Sequence, residues 1–477
     1  MPKSTRRPLI AAVAAAALLP ACSTVGPDFA RPATPRTANY AMAGDPTPAG
    51  VSMSAEARPA GPWWAVMGSA ELDRVIRQAL VDSPTLAEAD AAVAQARAEL
   101  AATRGGQGAQ VDAAASAQRE RINTQAFGFS GFPSPTINLY SVGGSVTYDL
   151  DLFGGQRRAR EAGRAHVEAE QRRADAAFLT LSGQIAVQAV RIAARRAEIE
   201  TLNAVVESDR RQIAMIERAE RAGGAAPSAS TAGESQLAQD QALIPPLERD
   251  LSAARHQLAV LVGHAPADWT APDFHLADFA GGRAAPISLP STLVRRRPDI
   301  LAAEADLHEA TAKIGVAAAD LYPDVRLAAG LTQSALTPGA LFNVNSSGWS
   351  FGPQVRIPLF DRAGKARRDA AEAEARQSLA RYQGVVLRAF LQVSDALTAL
   401  AHDQDELAAL RRAETSAQAH VRDAQKAYDL GGGPLIEVAD AGRQLSQARR
   451  KIAESQGRIL EDTVALYAAT GGAEPVA

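Results

Sequence analysis

The chain has 477 residues, a net charge of -3 and an aromatic content of 5%. This charge balance excludes a general electrostatic attraction for nucleic acid, so no nucleic-acid partner is expected. The scarcity of aromatic residues and the abundance of alanine favour close helix–helix contacts over a large globular core. The length of the chain allows either one large elongated molecule or several modules.

The first 21 residues have the pattern of a bacterial export signal. A basic start is followed by a short apolar run over residues 9–19, which is too short to span a bilayer as a helix. The motif LPAC at residues 19–22 resembles a lipoprotein lipobox, which implies cleavage before Cys22 and acylation of that residue. An ordinary secretory signal is the alternative. Cys22 is the only cysteine, so no internal disulfide forms, and Ser23 in place of an aspartate favours the outer membrane.

Beyond an extended, lipidated segment at residues 22–62, one pattern occurs twice. Residues 87–100 (AEADAAVAQARAEL) and 303–316 (AEADLHEATAKIGV) resemble each other, and each is followed by two strand-like stretches, a long helical stretch, a glycine turn and a second helical stretch. We therefore predict two structural repeats in an α+β fold. The predicted boundaries are 63–264 for the first repeat, 265–293 for a linker, 294–471 for the second repeat and 472–477 for the tail.

The four strand-like stretches alternate apolar and polar residues, with predicted bounds of about 109–122, 140–153, 324–335 and 349–360. In the second stretch one face carries Val146, Tyr148, Leu150 and Leu152. Such alternation is typical of an outer-membrane strand, although a single strand of this kind also suits a half-buried soluble sheet. No stretch after residue 22 approaches the roughly 20 apolar residues of a spanning helix. A mature chain that crosses a membrane therefore needs a closed barrel.

The connections between these strands predict loops, and the strand number predicts an oligomer. Residues 125–135 and 337–347 are rich in Gly, Pro, Ser and Asn, which is typical of exposed loops. Trp349, Tyr140 and Phe351 lie near one end of the strands, where an interfacial aromatic belt is expected. Four strands cannot close a pore, because small barrels begin at about eight strands. Several copies of the chain must therefore share one barrel.

Two helical stretches are unusually long. Residues 156–222 and 363–428 each extend for roughly 100 Å at the helical rise. The second stretch carries apolar residues at alternating steps of three and four, as in a coiled coil. Rods of this length exceed a globular domain and suit a conduit across the periplasm.

Glycines predict a turn at the end of each long helix. They lie at residues 223–224 and 431–433, and return helices are predicted over 234–262 and 435–469. The prolines at residues 245–246 predict a kink or break in the first return helix.

The sequence predicts neither an enzyme nor a cofactor. It contains no GxSxG, P-loop or HExxH motif, and its seven histidines are scattered. His402 and His420 are too far apart for a helical pair of metal ligands. The many paired acids on the helices are interpreted as solvated faces with partners one turn away.

Four sequence blocks carry a resemblance to a known family. They are residues 22–29 (CSTVGPDF) with Pro32, Trp63-Trp64 before residues 69–80, residues 241–263, and residues 294–327. The chain resembles the outer membrane factor family of TolC-like channels, in the lipoprotein branch typified by OprM and NodT. The resemblance covers essentially the whole mature chain.

This resemblance implies a homotrimer with a twelve-stranded outer-membrane barrel above a twelve-helix periplasmic tunnel, each chain supplying four strands. It implies the exit duct of an efflux pump for small molecules such as drugs, joined to a periplasmic adaptor and an inner-membrane transporter of the RND class. The molecule would be anchored by lipid in the bacterial outer membrane and extend into the periplasm. The alternatives are a type I protein-secretion duct and a coiled-coil adaptor or structural lipoprotein that forms no pore.

The resemblance also implies a gate at the periplasmic end. Acidic residues of the family's constriction map onto Glu437 and Asp440, which lie three residues apart on one helix face, and a latching tyrosine maps onto Tyr428. Threefold repetition would produce rings of carboxylates that concentrate cations. The alternative is a set of exposed charges with no gating role.

The chain departs from the family at two latch positions. Residues 432–434 (GGP) replace a basic residue, and Ala229 or Ser230 replaces an aspartate of the first turn. The resemblance assigns contact with the adaptor to the hairpin tips, at Arg221, Gly223, Gly224, Gly431 and Gly432.

Overall fold

A computed structural model describes residues 24–35, 37–54, 62–128, 131, 133–224, 226–279 and 287–471 of the chain. Cys22 and the predicted tail lie outside these residues. The chain divides into two compact units. The first consists of Met1–Pro32, Ala92–Glu170 and Ala302–Tyr382, and the second of Ala33–Ala91, Gln171–Leu301 and Gln383–Ala477.

Helices make up most of the described chain. The α-helices are α1 (Ala70–Asp82), α2 (Pro84–Gly106), α3 (Gly155–Arg221), α4 (Pro227–Ala242), α5 (Ile244–Val262), α6 (Pro290–Arg296), α7 (Pro298–Ala319), α8 (Arg362–Asp429) and α9 (Leu435–Ala469). The strands are β1 (Met53–Ser54), β2 (Gln110–Arg121), β3 (Thr136–Asp149), β4 (Ile287–Ser288), β5 (Asp324–Ala335) and β6 (Ser347–Arg356). The long helices α3 and α8 agree with the predicted stretches to within one residue at each end, and α9 has the predicted bounds.

Glycines follow the ends of both long helices, as the sequence predicts. Gly223 and Gly431 each have a φ of 73°, in the left-handed region that favours glycine. The first return begins at Pro227, seven residues before the predicted start at 234, and it is interrupted at Leu243. Two prolines lie in the first turn of α5. Backbone N–H groups in a first turn make no intrahelical hydrogen bond, so proline loses no such bond there.

In the first unit, four strands form one antiparallel sheet in the order β2-β3-β5-β6. The strands β2 and β5 lie within the predicted ranges. Pairing of β3 with β5 joins the two predicted strand pairs into a single sheet. This pairing connects strands that are far apart in sequence.

The strand β3 begins and ends four residues before the predicted range of 140–153. Asp151 has a positive φ of 46°, and its carboxylate accepts the backbone N–H of Gln156 at 2.8 Å, which turns the chain into α3. Leu150 and Leu152 therefore lie beyond the strand, and the prediction that they extend its apolar face is wrong.

The strand β6 also ends earlier than the predicted range of 349–360. Pro358 provides no N–H for a sheet ladder. Three residues later, the carboxylate of Asp361 accepts the backbone N–H of Gly364 at 2.7 Å and caps the start of α8. Ile357, which alternation places on the apolar face, lies just outside the strand.

The predicted linker at 265–293 contains regular structure. The short strand β4 pairs in parallel with β1, with Met53 opposite Ile287. The helix α6 begins at Pro290, before the predicted start of the second repeat at 294. The boundary chosen from the sequence therefore falls inside a helix.

The second unit contains a buried aromatic cluster and close helix contacts. Trp63 and Trp64 are 0% and 2% exposed and meet edge to face at 6.1 Å, and the indole of Trp63 donates to the hydroxyl of Ser182 at 3.0 Å. A Cβ placed on Gly457 of α9 would lie 2.7 Å from the Cβ of Ala194 on α3. Small residues therefore let these helices approach closely, as the composition predicts.

The helices α3 and α8 each contain an 18-residue window that is apolar enough to span a membrane by length and composition. This corrects the prediction that no such stretch follows residue 22. In α3, 61% of the window is buried in the fold, whereas in α8 the value is 39%. Leu387 and Leu391 of α8 are 68% and 57% exposed, so this helix has an apolar face that its own chain leaves open.

Candidate functional site

The sheet of the first unit has two chemically distinct faces. Its register aligns Val111 with Val146, Val146 with Ala329, and Ala329 with Phe351, so these side chains share one face. The apolar side chains of this face, which we call the apolar face, include Val111, Ala113, Ala115, Ala117, Tyr140, Val142, Val146, Tyr148, Val325, Leu327, Ala329, Leu331, Trp349, Phe351 and Val355. The polar Gln333, opposite Val142, lies among them. Within the observed strand bounds, the apolar sets predicted from alternation all fall on the apolar face.

Large side chains of the apolar face are open to solvent in the single chain. Trp349 is 81% exposed, Val111 74%, Phe351 72% and Val355 58%. Soluble proteins rarely expose contiguous apolar patches larger than a few hundred Å². The outer side of a membrane barrel requires such a surface, because it faces hydrocarbon.

The opposite face of the sheet is polar. Arg326 on β5 forms ion pairs with Asp324 at 2.8 Å and with Asp149 on β3 at 3.9 Å. The register places further polar side chains on the same face, including Asp112, Ser145, Thr147, Thr332, Gln354 and Arg356. This chemistry suits a surface in contact with water.

Both outer strands of the sheet have an unpaired edge. Among the described strands, β2 pairs only with β3, and β6 pairs only with β5. The N–H and C=O groups along such an edge need partners, above all where lipid excludes water. Both edges of the sheet are therefore available for pairing with further strands.

A segment that follows the lipobox-like motif is fixed to the first unit. The backbone N–H of Val25 donates to the carbonyl of Phe153 at 3.0 Å, just beyond β3. The buried side chain of Arg158 donates to the carbonyls of Val25 (3.1 Å) and Gly26 (3.2 Å) and to the carboxylate of Asp28 (2.7 Å). Nothing in the sequence pattern points to these contacts of Arg158, because the carbonyls and the carboxylate that it binds lie about 130 residues away in the chain.

The predicted gate residues lie around the turn between α8 and α9. Tyr428 is half-buried in the last turn of α8, Glu437 is exposed in the first turn of α9, and Asp440 is half-buried one turn later. Asp440 forms an ion pair with Arg443 on the same helix. Within the described chain, no hydrogen bond or ion pair joins Tyr428 to either acid. Arg443 is not among the predicted gate residues, although its spacing of three residues from Asp440 is visible in the sequence.

A second acidic group lies between helices of the same unit. Asp209 on α3 is 7% exposed, and its carboxyl group hydrogen-bonds with that of Asp240 on α4. Burial, followed by the hydrogen bond and charge of Asp240, raises the pKa of Asp209 to about 6, while the charge of Arg443 acts in the opposite direction. Two carboxyl groups share a hydrogen bond only when one of them holds a proton.

The sequence pattern predicts solvated acids on these helices, and the pair of Asp240 with the buried Asp209 is an exception. The sequence contains a signal for the burial of Asp209, because this residue lies four positions before Ile213 and continues the buried apolar stripe of α3. No group of three or more His, Cys, Asp or Glu side chains suited to a metal ion occurs in the described residues.

Relatives of known sequence match this chain over most of its length. A family model described as outer membrane efflux protein matches residues 75–264 and 289–472. The cation efflux system protein CusC of Escherichia coli K12 is 26% identical over 455 residues, covering 95% of this chain and 97% of the relative. Nodulation protein T of Rhizobium leguminosarum bv. viciae is 27% identical over 477 residues, covering 97% and 93%. The pyoverdine export outer membrane protein OpmQ of Pseudomonas putida is 29% identical over 424 residues, covering 88% and 89%.

Solved structures share the fold. The outer-membrane channel OprN superposes with a TM-score of 0.84 at 27% identity, covering 94% of this chain and 99% of that chain. The MtrE outer membrane channel of Neisseria gonorrhoeae superposes with a TM-score of 0.81 at 24% identity, covering 94% and 98%, a likeness that concerns the fold alone. Together with the family match over most of its length, these findings show that the chain belongs to the outer membrane efflux protein family and is an efflux channel protein of the bacterial outer membrane.

Proposed function

We propose that three copies of this chain form the exit duct of a tripartite pump of the RND class that exports small molecules. The observation that carries the proposal is a four-stranded sheet with an apolar face, a polar face and two unpaired edges. Closure into a barrel directs the apolar face to lipid and the polar face to a water-filled lumen. The duct itself performs no chemistry, and the inner-membrane transporter would supply the energy for export.

The number of strands supports a shared barrel. Four strands are too few for a closed barrel, which needs about eight, whereas three copies supply twelve. The edge of β2 in one copy would pair with the edge of β6 in the next, so no edge stays open. The exposed Leu387 and Leu391 of α8 would be covered by a neighbouring copy in the same way.

The names of relatives support a small-molecule cargo. CusC is named a cation efflux system protein, and OpmQ a pyoverdine export protein. A lumen lined by mixed polar side chains imposes little chemical selection, so the choice of substrate would lie with the inner-membrane transporter. A periplasmic adaptor would join the two by contacting the hairpin tips at Arg221, Gly223, Gly224, Gly431 and Gly432.

The periplasmic gate would be formed by the turn between α8 and α9. Glu437 and Asp440 would repeat around the threefold axis as two carboxylate rings, and Tyr428 would help to hold the closed state. The ion pair with Arg443 offsets the charge of Asp440. We therefore infer that the exposed Glu437 provides most of the attraction for cations.

Cys22 would carry the lipid anchor, as its LPAC motif suggests. Val25, three residues later, is held beside the chain that leaves β3. Three extended residues span roughly 10 Å. The acyl chains would therefore enter the inner leaflet close to the foot of the barrel, and Arg158 would set that position.

Reconstitution into planar bilayers tests the proposed duct. Native mass spectrometry in detergent should give a trimer, and the trimer should produce long-lived single-channel currents because it encloses a lumen. The monomer fraction of the same preparation, separated by size, is the matched control and should produce none. A conducting monomer, or a trimer that does not conduct, contradicts the proposal.

A further inference from the structure

The apolar face of the sheet ends at a pair of arginines. Arg119 and Arg121 lie at the loop end of β2, and alternation places both on the same face as the apolar residues at 111–117. Their partners across the strand pair are Asn138 and Thr136, which are polar. The chemistry of this face therefore changes from apolar to polar and cationic within two residues.

An aromatic residue lies at this change. Tyr140 is paired with Ala117, and the next pair on the same face is Arg119 with Asn138. Aromatic side chains concentrate where hydrocarbon meets headgroups, and arginine on a lipid-facing surface is tolerated near that level but unfavourable at the midplane. The two arginines therefore lie where lipid headgroups would surround the barrel.

Among the residues that the structure describes, no acidic side chain pairs with these arginines. The loops at residues 122–135 and 336–346 contain neither Asp nor Glu. Glu120 alternates onto the polar face. Both arginines are exposed, and neither makes an ion pair with any residue that the structure describes. A second copy of the chain would bring the same acid-free loops to this level, so the missing anion must come from outside the protein.

We propose that Arg119 and Arg121 bind a phosphate group of a lipid in the outer leaflet of the membrane. The inference rests on the proposed barrel, which directs the apolar face to lipid and the loops outward. Arginine presents paired N–H donors that match phosphate oxygens, and two arginines at alternate positions lie roughly 7 Å apart along a strand. Each trimer would hold three such lipids and be fixed at one depth in the membrane.

Lipid retention by the full-length trimer tests this site. The trimer is exchanged into nanodiscs of phosphatidylcholine that contain lipid A, a phosphorylated glycolipid, and retained lipid is counted by native mass spectrometry. The double variant R119Q/R121Q should bind lipid A about 25-fold more weakly. Each arginine near an anionic surface contributes a factor of about five to the affinity. Arg121→Gln alone, at the end of the strand, should weaken binding about fivefold. This single variant tests the site if the double variant does not assemble.

The matched control is Glu120→Gln on the same strand. This substitution removes a charge that lies between the two arginines in sequence but on the opposite, polar face of the sheet. The Glu120→Gln trimer should therefore retain lipid A as the unaltered protein does. An equal loss in this control would contradict a site on the apolar face. Equal binding of dephosphorylated lipid A would also overturn the proposal, since recognition would then lie in the acyl chains. Displacement by excess inorganic phosphate would indicate an ion site and not a lipid site.

Conductance of the same samples separates the two possible failures. If the double variant conducts and still retains lipid A fully, the arginine site is wrong and the channel stands. If the unaltered trimer does not conduct, the barrel proposal fails and this inference fails with it.

Discussion

At the scale of single residues, Arg443 connects two groups of acids in the helical unit. It forms an ion pair with Asp440, one of the proposed gate residues, and its charge also acts on the buried Asp209. Asp209 in turn shares a hydrogen bond with Asp240. The charge of Arg443 therefore acts both on the proposed gate acid in α9 and on the protonation of the carboxyl pair between α3 and α4.

The raised pKa of Asp209 predicts a specific dependence of stability on pH. Because the folded-state pKa of about 6 lies above the ordinary value of 3.8, the folded state binds the proton more tightly. The corresponding stabilisation is complete below about pH 4 and is lost as the pH rises through about 6. Asp209→Asn should remove this loss and raise the stability at pH 7 by roughly 1–3 kcal/mol. Thermal unfolding of the detergent-solubilised trimer between pH 4 and 8 measures the effect.

The profile of the Asn variant should be flatter but not flat. Asp462 also has a pKa raised to about 6, by burial and by the neighbouring Asp403, and it remains in the variant. Asp423→Asn on the exposed surface of α8 is the matched control and should leave the profile unchanged. An Asp209→Asn variant with an unaltered pH profile would show that the carboxyl pair does not hold the proton.

The proposed gate predicts opposite effects for two substitutions of opposite charge. Glu437→Gln should lower selectivity for cations, because it removes the exposed carboxylate of each copy. Arg443→Gln should raise it, because it leaves the charge of Asp440 unbalanced. Reversal potentials across a potassium chloride gradient in planar bilayers measure both.

The control for the arginine is Arg449→Gln on the same helix. Arg449 pairs with Glu414 of α8 at 3.1 Å, and it lies about two and a half helical turns beyond Asp440. It should change selectivity less than Arg443→Gln does. Equal shifts for both arginines, or no shift for Glu437→Gln, would place the constriction elsewhere.

At the scale of elements, the register of the sheet decides which substitutions the barrel tolerates. Val146 lies on the apolar face of β3 between Val111 and Ala329, and Thr147 lies next to it on the polar face. Val146→Arg should destabilise the folded protein by about 2–4 kcal/mol if the residue is near the midplane, because the charge faces lipid. Thr147→Arg should have a smaller effect, because it faces water. Heat-induced loss of the folded trimer in lipid measures both, and equal effects would contradict the assigned faces.

The ends of the strands show where periodicity alone is insufficient. Alternation of apolar residues continues to Leu152 after β3, although the strand ends at Asp149. The chain leaves the sheet because the Asp151 carboxylate binds the first backbone N–H groups of α3. A side-chain cap of this kind overrides a hydrophobic pattern, and its geometry is visible only in the folded chain.

At the scale of the whole molecule, the lengths of the long helices, the turn glycines, the two faces of the strands and the family can all be predicted from the amino-acid sequence. These properties depend on residues that are close in sequence, such as the apolar stripe of α8 or the glycines at 223 and 431, and local periodicity records them. The strand number and the open apolar face also follow from this pattern, and they support the proposal of a shared barrel.

The contacts between distant segments are visible only in the folded chain. The tertiary structure joined β3 to β5 in one sheet, placed Arg158 against the segment after Cys22, and brought Asp209 to Asp240. Each of these contacts links residues that no local period relates, and each depends on which buried polar groups find partners when the chain packs. The pattern of the sequence therefore established the elements, whereas packing decided which of their charged side chains act together.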